Sequence, residues 1–405
     1  MSESFDRLKR AEAAFHMPVY GRQPVAFSRG EGTRLWDVDG REYLDFVAGI
    51  AVMSVGHSHP KVVEAVRAQI GELTHVSNLY YTEPQVRLAE RLHDLLGWGK
   101  VFFANSGAEA NECAVKLARR WQREQGRPGR SGLVAALGSF HGRTVATLAA
   151  TGQPAKHEPF APMPAELVHH VPLNDADALE VALDDGIGAL LREVVQGEGG
   201  INPATPEYLK AARELCDERG LLLIFDEVQT GLGRTGAWFA FQHAGVTPDV
   251  VTLAKALGGG LPIGACIARE DVADAFRPGD HATTFGGGPV PCAAALAVLD
   301  VIEEEGLVQN SAVMGERLVT SLHEALDGNP AVKDVRGTGL LVGVEMTGEW
   351  SRDVVDACRE RGLLVNNVRP DTVRLSPPLT VTASDVDRAV AILTGVLEDY
   401  RGGAA

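Results

Sequence analysis

The chain has little cysteine and none of it in pairs. Its five thiols, at positions 113, 216, 266, 292 and 358, form no C-x-x-C spacing and are odd in number. That pattern fits neither a disulfide framework nor a cysteine-rich zinc site, and marks them as buried thiols. Long apolar runs are missing too: stretches such as 221–225 fall far short of the roughly 20 residues that span a bilayer, so no membrane helix is expected. Positive charge is scarce, with 38 Lys and Arg against 54 Asp and Glu and a formal charge of −16, which argues against a sequence-independent grip on nucleic acid. The first residues mix Glu3, Asp6 and Glu12 with Arg7, Lys9 and Arg10 and have no apolar core, unlike a secretory signal, and are too acidic for a transit peptide, so a cytoplasmic location is expected. No G-x-x-x-x-G-K-[ST] loop and no G-x-S-x-G elbow occurs, and no internal repeat or heptad run stands out.

What is present is a chain of 405 residues, 45% hydrophobic and 23% charged, enough for two or three globular domains at roughly 100 to 200 residues each. Its 45 glycines and 21 prolines punctuate short apolar segments. Strands are predicted at 101–104, 133–137, 187–195, 221–225, 250–253 and 263–267, with helices between several of them, the clearest over 108–121. Buried strands alternating with amphipathic helices predict an α/β fold with a mostly parallel sheet, helices on both faces and an active site at the strand C-termini. Residues 33–46 read as a hairpin turning at Asp39-Gly40, and short strands are predicted at 340–345 and 372–375. The expected organisation is a large domain over 60–296 and a small α/β domain built from 1–59 and 297–405.

Three strand ends carry groups with chemical potential. Asp226 follows the apolar run 221–225, where an ionised carboxylate needs a cationic partner; a helix cap or a structural arginine would satisfy it equally. Residues 100–112 read as strand, glycine turn and helix, so that backbone N–H groups and the Ser106 hydroxyl form a phosphate cradle, or simply a serine-capped helix. Lys255 follows 250–254 and precedes Gly258-Gly259-Gly260. A lysine there is either a solvated helix-start charge or, when desolvated, a nucleophile able to form a Schiff base. Phosphate anchor, carboxylate and amine are together what pyridoxal 5'-phosphate requires, the carboxylate keeping its ring nitrogen protonated so that the ring takes up electrons. The competing signal is Gly231-Leu232-Gly233-Arg234-Thr235-Gly236, a literal G-x-G-x-x-G. Five residues separate it from the strand and no acid follows where a ribose would need one, which disfavours a nicotinamide oxidoreductase. His57-Ser58-His59 lacks a third ligand at useful spacing, so no metal site is expected.

Over nearly its whole length the sequence resembles the acetylornithine aminotransferases, within the ornithine and 4-aminobutyrate aminotransferase group of fold-type I pyridoxal phosphate enzymes. The resemblance rests on Gly56-His57-Ser58-His59-Pro60, Asn105-Ser106-Gly107-Ala108-Glu109-Ala110-Asn111-Glu112, Phe140-His141-Gly142-Arg143, Gln196-Gly197-Glu198-Gly199-Gly200, Asp226-Glu227-Val228-Gln229-Thr230-Gly231, Ala254-Lys255-Ala256-Leu257-Gly258-Gly259-Gly260 and Arg374-Leu375-Ser376-Pro377-Pro378. It implies that Lys255 forms the Schiff base with the cofactor and then shuttles protons. It further implies that Asp226 pairs the ring nitrogen, that Gln229 meets the ring hydroxyl, and that Phe140 stacks on the ring beside His141. Ser106, Gly107 and Ala108 would hold the phosphate, joined by Thr284 of a neighbouring subunit in a homodimer with shared sites. Tyr20 and Thr283 would lie near substrate. Arg374 and Arg143 would hold the two carboxylates of glutamate, each through a bidentate fork, with Glu198 covering Arg374 when the substrate's reacting carbon bears no carboxylate.

The implied activity moves the terminal amine of N2-acetylornithine to 2-oxoglutarate, a step of arginine biosynthesis, with small molecules as the only substrates. Ornithine, succinylornithine and 4-aminobutyrate remain open as donors. A cofactor-binding protein without turnover is the reading from another class, disfavoured because a mere binder needs no substrate clamps. The chain departs from these relatives at Ala108, where threonine is usual, at Val194, where proline is usual, and at Gly288, where asparagine is common. The first removes one hydroxyl near the phosphate, the second loosens the backbone beside Glu193, and the third alters hydrogen bonding in the turn 285–289.

Overall fold

The computed structural model describes residues 3–164 and 167–399. Its centre is a seven-stranded sheet of β1 (Lys100–Ala104), β2 (Gly132–Ala136), β3 (Val168–Val171), β4 (Ile187–Arg192), β5 (Leu222–Asp226), β6 (Val250–Leu253) and β7 (Gly264–Ala268). The spatial order is β1-β7-β6-β5-β4-β2-β3. Five neighbours run parallel, as the alternation with helices predicts, and β7 runs antiparallel to both β6 and β1. Only residues 254–263 separate β6 from β7. That is too little chain for the crossover of a dozen or more residues that a parallel connection requires, so the strand turns back.

Side-chain parity divides the core. Leu133, Ala135, Leu191, Leu222, Ile224 and Val250 pack with the helix α1 (Gly107–Glu124) on one face of the sheet. Val134, Leu190, Leu223, Phe225, Val251 and Leu253 point the other way, into the larger cluster. Successive strand residues face opposite sides, and both sides are covered, so the strands read as continuous apolar runs. Two strand predictions need correction. The segment 187–195 ends as a sheet strand at Arg192, after which Val195–Gln196 pairs with Asn202–Pro203. β3 was not predicted, because His169 and His170 interrupt the apolar pattern of an edge strand only four residues long.

Both ends of the chain build smaller sheets. The hairpin forms as predicted: Arg34–Asp37 pairs antiparallel with Glu42–Asp45, and Asp37 accepts the N–H groups of Asp39 and Arg41 while Gly40 takes φ +83°. Leu363–Leu364 adds to Glu42–Asp45 in parallel, joining N-terminal and C-terminal chain in one sheet. Val332–Thr338, Leu341–Met346, Thr372–Leu375 and Asn366–Arg369 form an antiparallel sheet beside it. Among the described residues no helix is long and apolar enough to cross a membrane.

One local conformation had no signal in the sequence. Ala48, Gly49, Ile50 and Ala51 are all left-handed, with φ of 50°, 63°, 67° and 60°. For a β-branched residue this is an outlier that the surroundings must enforce. Asp45 does so by accepting the N–H groups of Val47 and Ala48, both at 2.9 Å, while Ser376 donates to the Val47 carbonyl. The other oxygen of Asp45 binds His57 at 2.7 Å, and His59 meets Glu305, so both histidines of the Gly56–Pro60 motif have structural partners.

Candidate active site

A cavity of about 420 Å³ opens where β1, β5 and β6 end. At one end α1 begins. Ser106 is its N-cap and accepts the Glu109 N–H at 3.2 Å, while Glu109 reaches back to the Asn105 N–H at 2.7 Å. Gly107 and Ala108, the first residues of the helix, line the cavity, and the 18-residue helix adds its dipole to favour an anion there. Gly107 must be glycine, since a Cβ there would stand 2.8 Å from the Val228 side chain.

Asp226, the last residue of β5, lies on the α1 side of the sheet and is held from three directions. Asn111 Nδ2 donates to its Oδ2 at 2.8 Å, His141 Nδ1 meets the same oxygen at 2.7 Å, and the Val228 N–H donates to Oδ1 at 3.0 Å. Close by, buried Glu193 accepts the N–H groups of Phe140 at 2.9 Å and Gly197 at 3.2 Å. Burial pushes its carboxyl up to about 7, with Asp226 adding to the rise and His141 opposing it. Glycine at 197 leaves room for Gln229, because a Cβ there would fall 1.6 Å from Gln229 Oε1 and push that side chain away.

Lys255 starts the turn after β6 with φ +37°, a strained conformation that turns its amine into the cavity. Burial and then Arg374 push it down to about 8, against the pull of Glu198, Asp226 and Glu193. An amine with that value is unprotonated in a useful fraction near neutrality and is a competent nucleophile. Arg374, fully buried, donates from Nη1 to Glu198 Oε1 at 2.8 Å and to Gln229 Oε1 at 3.2 Å. Burial raises the Glu198 carboxyl, but Arg374 and then Lys255 outweigh it and hold the group below its ordinary value. Arg143 stands over the Phe140 ring at 5.7 Å and makes no ion pair among the described residues.

Not every predicted site residue meets this cavity. Ser106, Gly107, Ala108, Phe140, His141, Arg143, Glu198, Asp226, Gln229 and Lys255 line it, and Arg374 adjoins it through Glu198 and Gln229. Thr283 and Thr284 line a separate cleft with Asn78, Leu79 and Tyr81, and Tyr20 lies exposed under Arg22 beside the helix Glu3–Phe15. Within one chain Thr284 and Tyr20 do not line the cavity of Lys255, while Thr283 touches its wall through Asn105, whose Nδ2 donates to Thr283 Oγ1 at 3.3 Å. Sequence reasoning gave no role to Asn111, Glu193 or Val52, which the cavity also contains. Asn111 and Glu193 stand inside or next to the quoted motifs, but their roles depend on which strand tips come together.

The site suits pyridoxal 5'-phosphate. Among the described residues, buried Gln229 Nε2, His141 Nε2 and Arg374 Nη2 have no hydrogen-bond partner, so polar atoms are left for a bound molecule. An anion cradle, an acid and a low-pKa amine bound one cavity of suitable size.

The class-III aminotransferase family pattern matches residues 17–397. The chain therefore belongs to the class-III aminotransferases, enzymes that work with pyridoxal 5'-phosphate. Among its relatives, the acetylornithine aminotransferase of Caldanaerobacter subterraneus subsp. tengcongensis is 50% identical over 390 residues, covering 96% of this chain and 99% of that one. The acetylornithine aminotransferase of Streptomyces coelicolor is 52% identical over 384 residues, covering 94% and 93%. The solved ornithine aminotransferase of Toxoplasma gondii superposes with a TM-score of 0.94 at 34% identity, covering 98% of this chain and 96% of that chain.

Proposed function

We propose that this enzyme transfers the terminal amine of N2-acetyl-L-ornithine to 2-oxoglutarate, giving N-acetyl-L-glutamate 5-semialdehyde and L-glutamate, in cytoplasmic arginine biosynthesis. The observation that carries this reading is the 2.8 Å pair between buried Arg374 and Glu198, in a cavity that Arg143 also lines with no ion pair among the described residues. The names of the relatives at about 50% identity support the same donor.

When bound, pyridoxal phosphate supplies an aldehyde that condenses with amines and a ring that accepts the electron pair left at the substrate carbon. The first turn of α1, through Ser106, Gly107 and Ala108, would hold its phosphate. Asp226 would face the ring nitrogen, Gln229 Nε2 the ring hydroxyl, and Phe140 one ring face with His141 beside it. Lys255 would attach the group, and its released amine would move the proton to and from the reacting carbon.

Substrate choice follows from charge. The reacting carbon of acetylornithine bears no carboxylate, so Glu198 keeps the buried Arg374 neutralised while Arg143 holds the distant carboxylate of the donor. Glutamate brings a carboxylate beside its reacting carbon; that group displaces Glu198 from Arg374, and Arg143 takes the far one.

We infer that the working unit is a homodimer with shared sites. Leu79, Tyr80, Tyr81 and Phe285 are 66% to 97% exposed, and Asn78, joined to the Thr283 and Gly286 carbonyls, brings them together. An apolar patch of that kind on one chain is where a second copy would bind, carrying Thr284 towards the partner's phosphate end, with Thr283 and Tyr20 near substrate.

The visible absorption of the purified protein tests the reading. The band of the bound cofactor is expected to bleach with N-acetylornithine, respond more weakly to ornithine, succinylornithine and 4-aminobutyrate, and return on adding 2-oxoglutarate. A band that answers best to another amine overturns the choice of donor; its absence after supplying pyridoxal phosphate overturns the assignment of the site.

A further inference from the structure

Asn111 and Thr252 belong to no proposed catalytic step, yet both are buried against Asp226. Parity explains the meeting. Asp226 and Thr252 sit side by side on adjacent parallel strands, and both point to the face covered by α1, the helix whose first turn forms the anion cradle. Asn111, one turn into that helix, spends its whole amide on them. Its Oδ1 accepts from the Thr252 hydroxyl at 2.7 Å, and its Nδ2 donates to Asp226 Oδ2 and to the His141 carbonyl, both at 2.8 Å.

The direction of this chain follows from donor and acceptor counts. An amide can present either its oxygen or its NH₂ towards a carboxylate, and the carboxylate accepts only the NH₂. The Thr252 hydroxyl, by donating to Oδ1, rewards the same orientation. The His141 carbonyl accepts from the second N–H, so a flipped amide would set oxygen against two acceptors at once.

We propose that Thr252 and Asn111 are positioning residues that fix the Asp226 carboxylate for its pairing with the cofactor ring nitrogen. The inference rests on the reading of Asp226 given above. Because the same helix carries the phosphate cradle at its start, Asn111 ties the position of Asp226 to that of the cradle, so that the two ends of the cofactor are gripped in one frame. His141, in the loop after β2, meets the same Asp226 oxygen through its ring and helps orient the amide through its backbone carbonyl, so its side chain can be varied without removing the contact that sets Asn111.

Titration of the apoprotein with pyridoxal phosphate, followed by visible absorption and by the thermal midpoint with and without cofactor, tests this. Thr252→Val keeps the shape and removes the donor. It is expected to weaken cofactor binding about tenfold and reduce kcat by a similar factor, with KM for the amino donor unchanged and the midpoint of the apoprotein within error of wild type. Thr252→Ser, which keeps the hydroxyl, is expected to stay within about twofold of wild type in both. Asn111→Ser, too short to reach Asp226, provides the second case should the valine variant fold poorly, and is expected to weaken binding at least as much. The proposal is overturned if Thr252→Val and Asn111→Ser bind the cofactor as wild type does while Asp226→Ala does not. It is overturned equally if the threonine variants lower the apoprotein midpoint and leave the cofactor-induced rise intact, the mark of a merely structural contact. If Asp226→Ala itself binds normally, the reading of Asp226 fails first.

Discussion

At the scale of single residues, the chemistry depends on holding groups in states that water would not favour. Lys255 is the clearest case. Burial and the Arg374 guanidinium lower it to about 8, while the carboxylates of Glu198, Asp226 and Glu193 limit the fall. In the role proposed for Lys255, attachment of the cofactor needs the free amine. The rate of attachment to the apoprotein is therefore expected to rise with pH, level off above about 8 and not continue towards the ordinary lysine value. Arg374→Gln removes one cause of the depression and frees Glu198 to act on the amine, so the midpoint should move up. Stopped-flow absorption after mixing apoprotein with pyridoxal phosphate measures both, and a rate that climbs steadily to pH 10 in the wild type would contradict the account. The other polar groups of the cavity follow the same logic in reverse: Gln229 and Arg374 each keep a buried donor, and His141 a buried ring nitrogen, without a partner among the described residues, a cost that a bound molecule offsets.

At the scale of elements, β4 carries an unexpected load. Arg192 is its last residue, fully buried, with hydrogen bonds to Tyr208 and to the carbonyls of Val134 and Leu191, one guanidinium nitrogen left over, and no carboxylate partner among the described residues. Burial pushes its guanidinium below the ordinary value. An apolar side chain of similar length removes that desolvation. Arg192→Met is expected to raise stability by about 1 to 3 kcal/mol, seen as a higher thermal midpoint, whereas Arg192→Ala leaves a void and lowers it. A methionine variant that melts lower would show that the three hydrogen bonds outweigh the buried charge. The same strand shows what the sequence could and could not reveal. Strands with unbroken apolar runs, such as β5 and β6, and the hairpin with its Asp-Gly turn were legible, because local pattern and tertiary burial agree there. β3 was lost to two histidines, and the reversal of β7 depends on a connection length that matters only once a sheet exists. The left-handed turn at residues 48–51 was invisible, since the neighbouring Asp45 enforces it only when oriented by His57, and the other contact comes from Ser376, distant in sequence. In the site, the quoted motifs picked out residues that do line one cavity. What Asn111 and Thr252 do could not be read there, even though Asn111 lies within a motif, because it depends on the juxtaposition of a helix and two strand tips.

At the scale of the whole molecule, one chain does not bring every expected group to Lys255. Thr283 and Thr284 open onto a cleft of their own, beside the exposed Leu79, Tyr80, Tyr81 and Phe285. In the proposed dimer each site combines Lys255 of one subunit with Thr284 of the other, and this can be tested by complementation. Lys255→Ala abolishes attachment in its own subunit's site. Thr284→Asp sets a carboxylate where the phosphate of the neighbour's cofactor would lie, and repulsion should empty that site. Each variant alone is expected to be inactive. A hybrid of the two has one site with both lesions and one with neither, so random reassociation of equal amounts should restore on the order of one quarter of wild-type activity. If Thr284 instead served the site of its own chain, both sites of every hybrid would carry a lesion and mixing would restore nothing. Dissociation, mixing and assay of the amine transfer distinguish the two arrangements, and a concentration dependence of the recovered activity would report the strength of the interface in the same experiment.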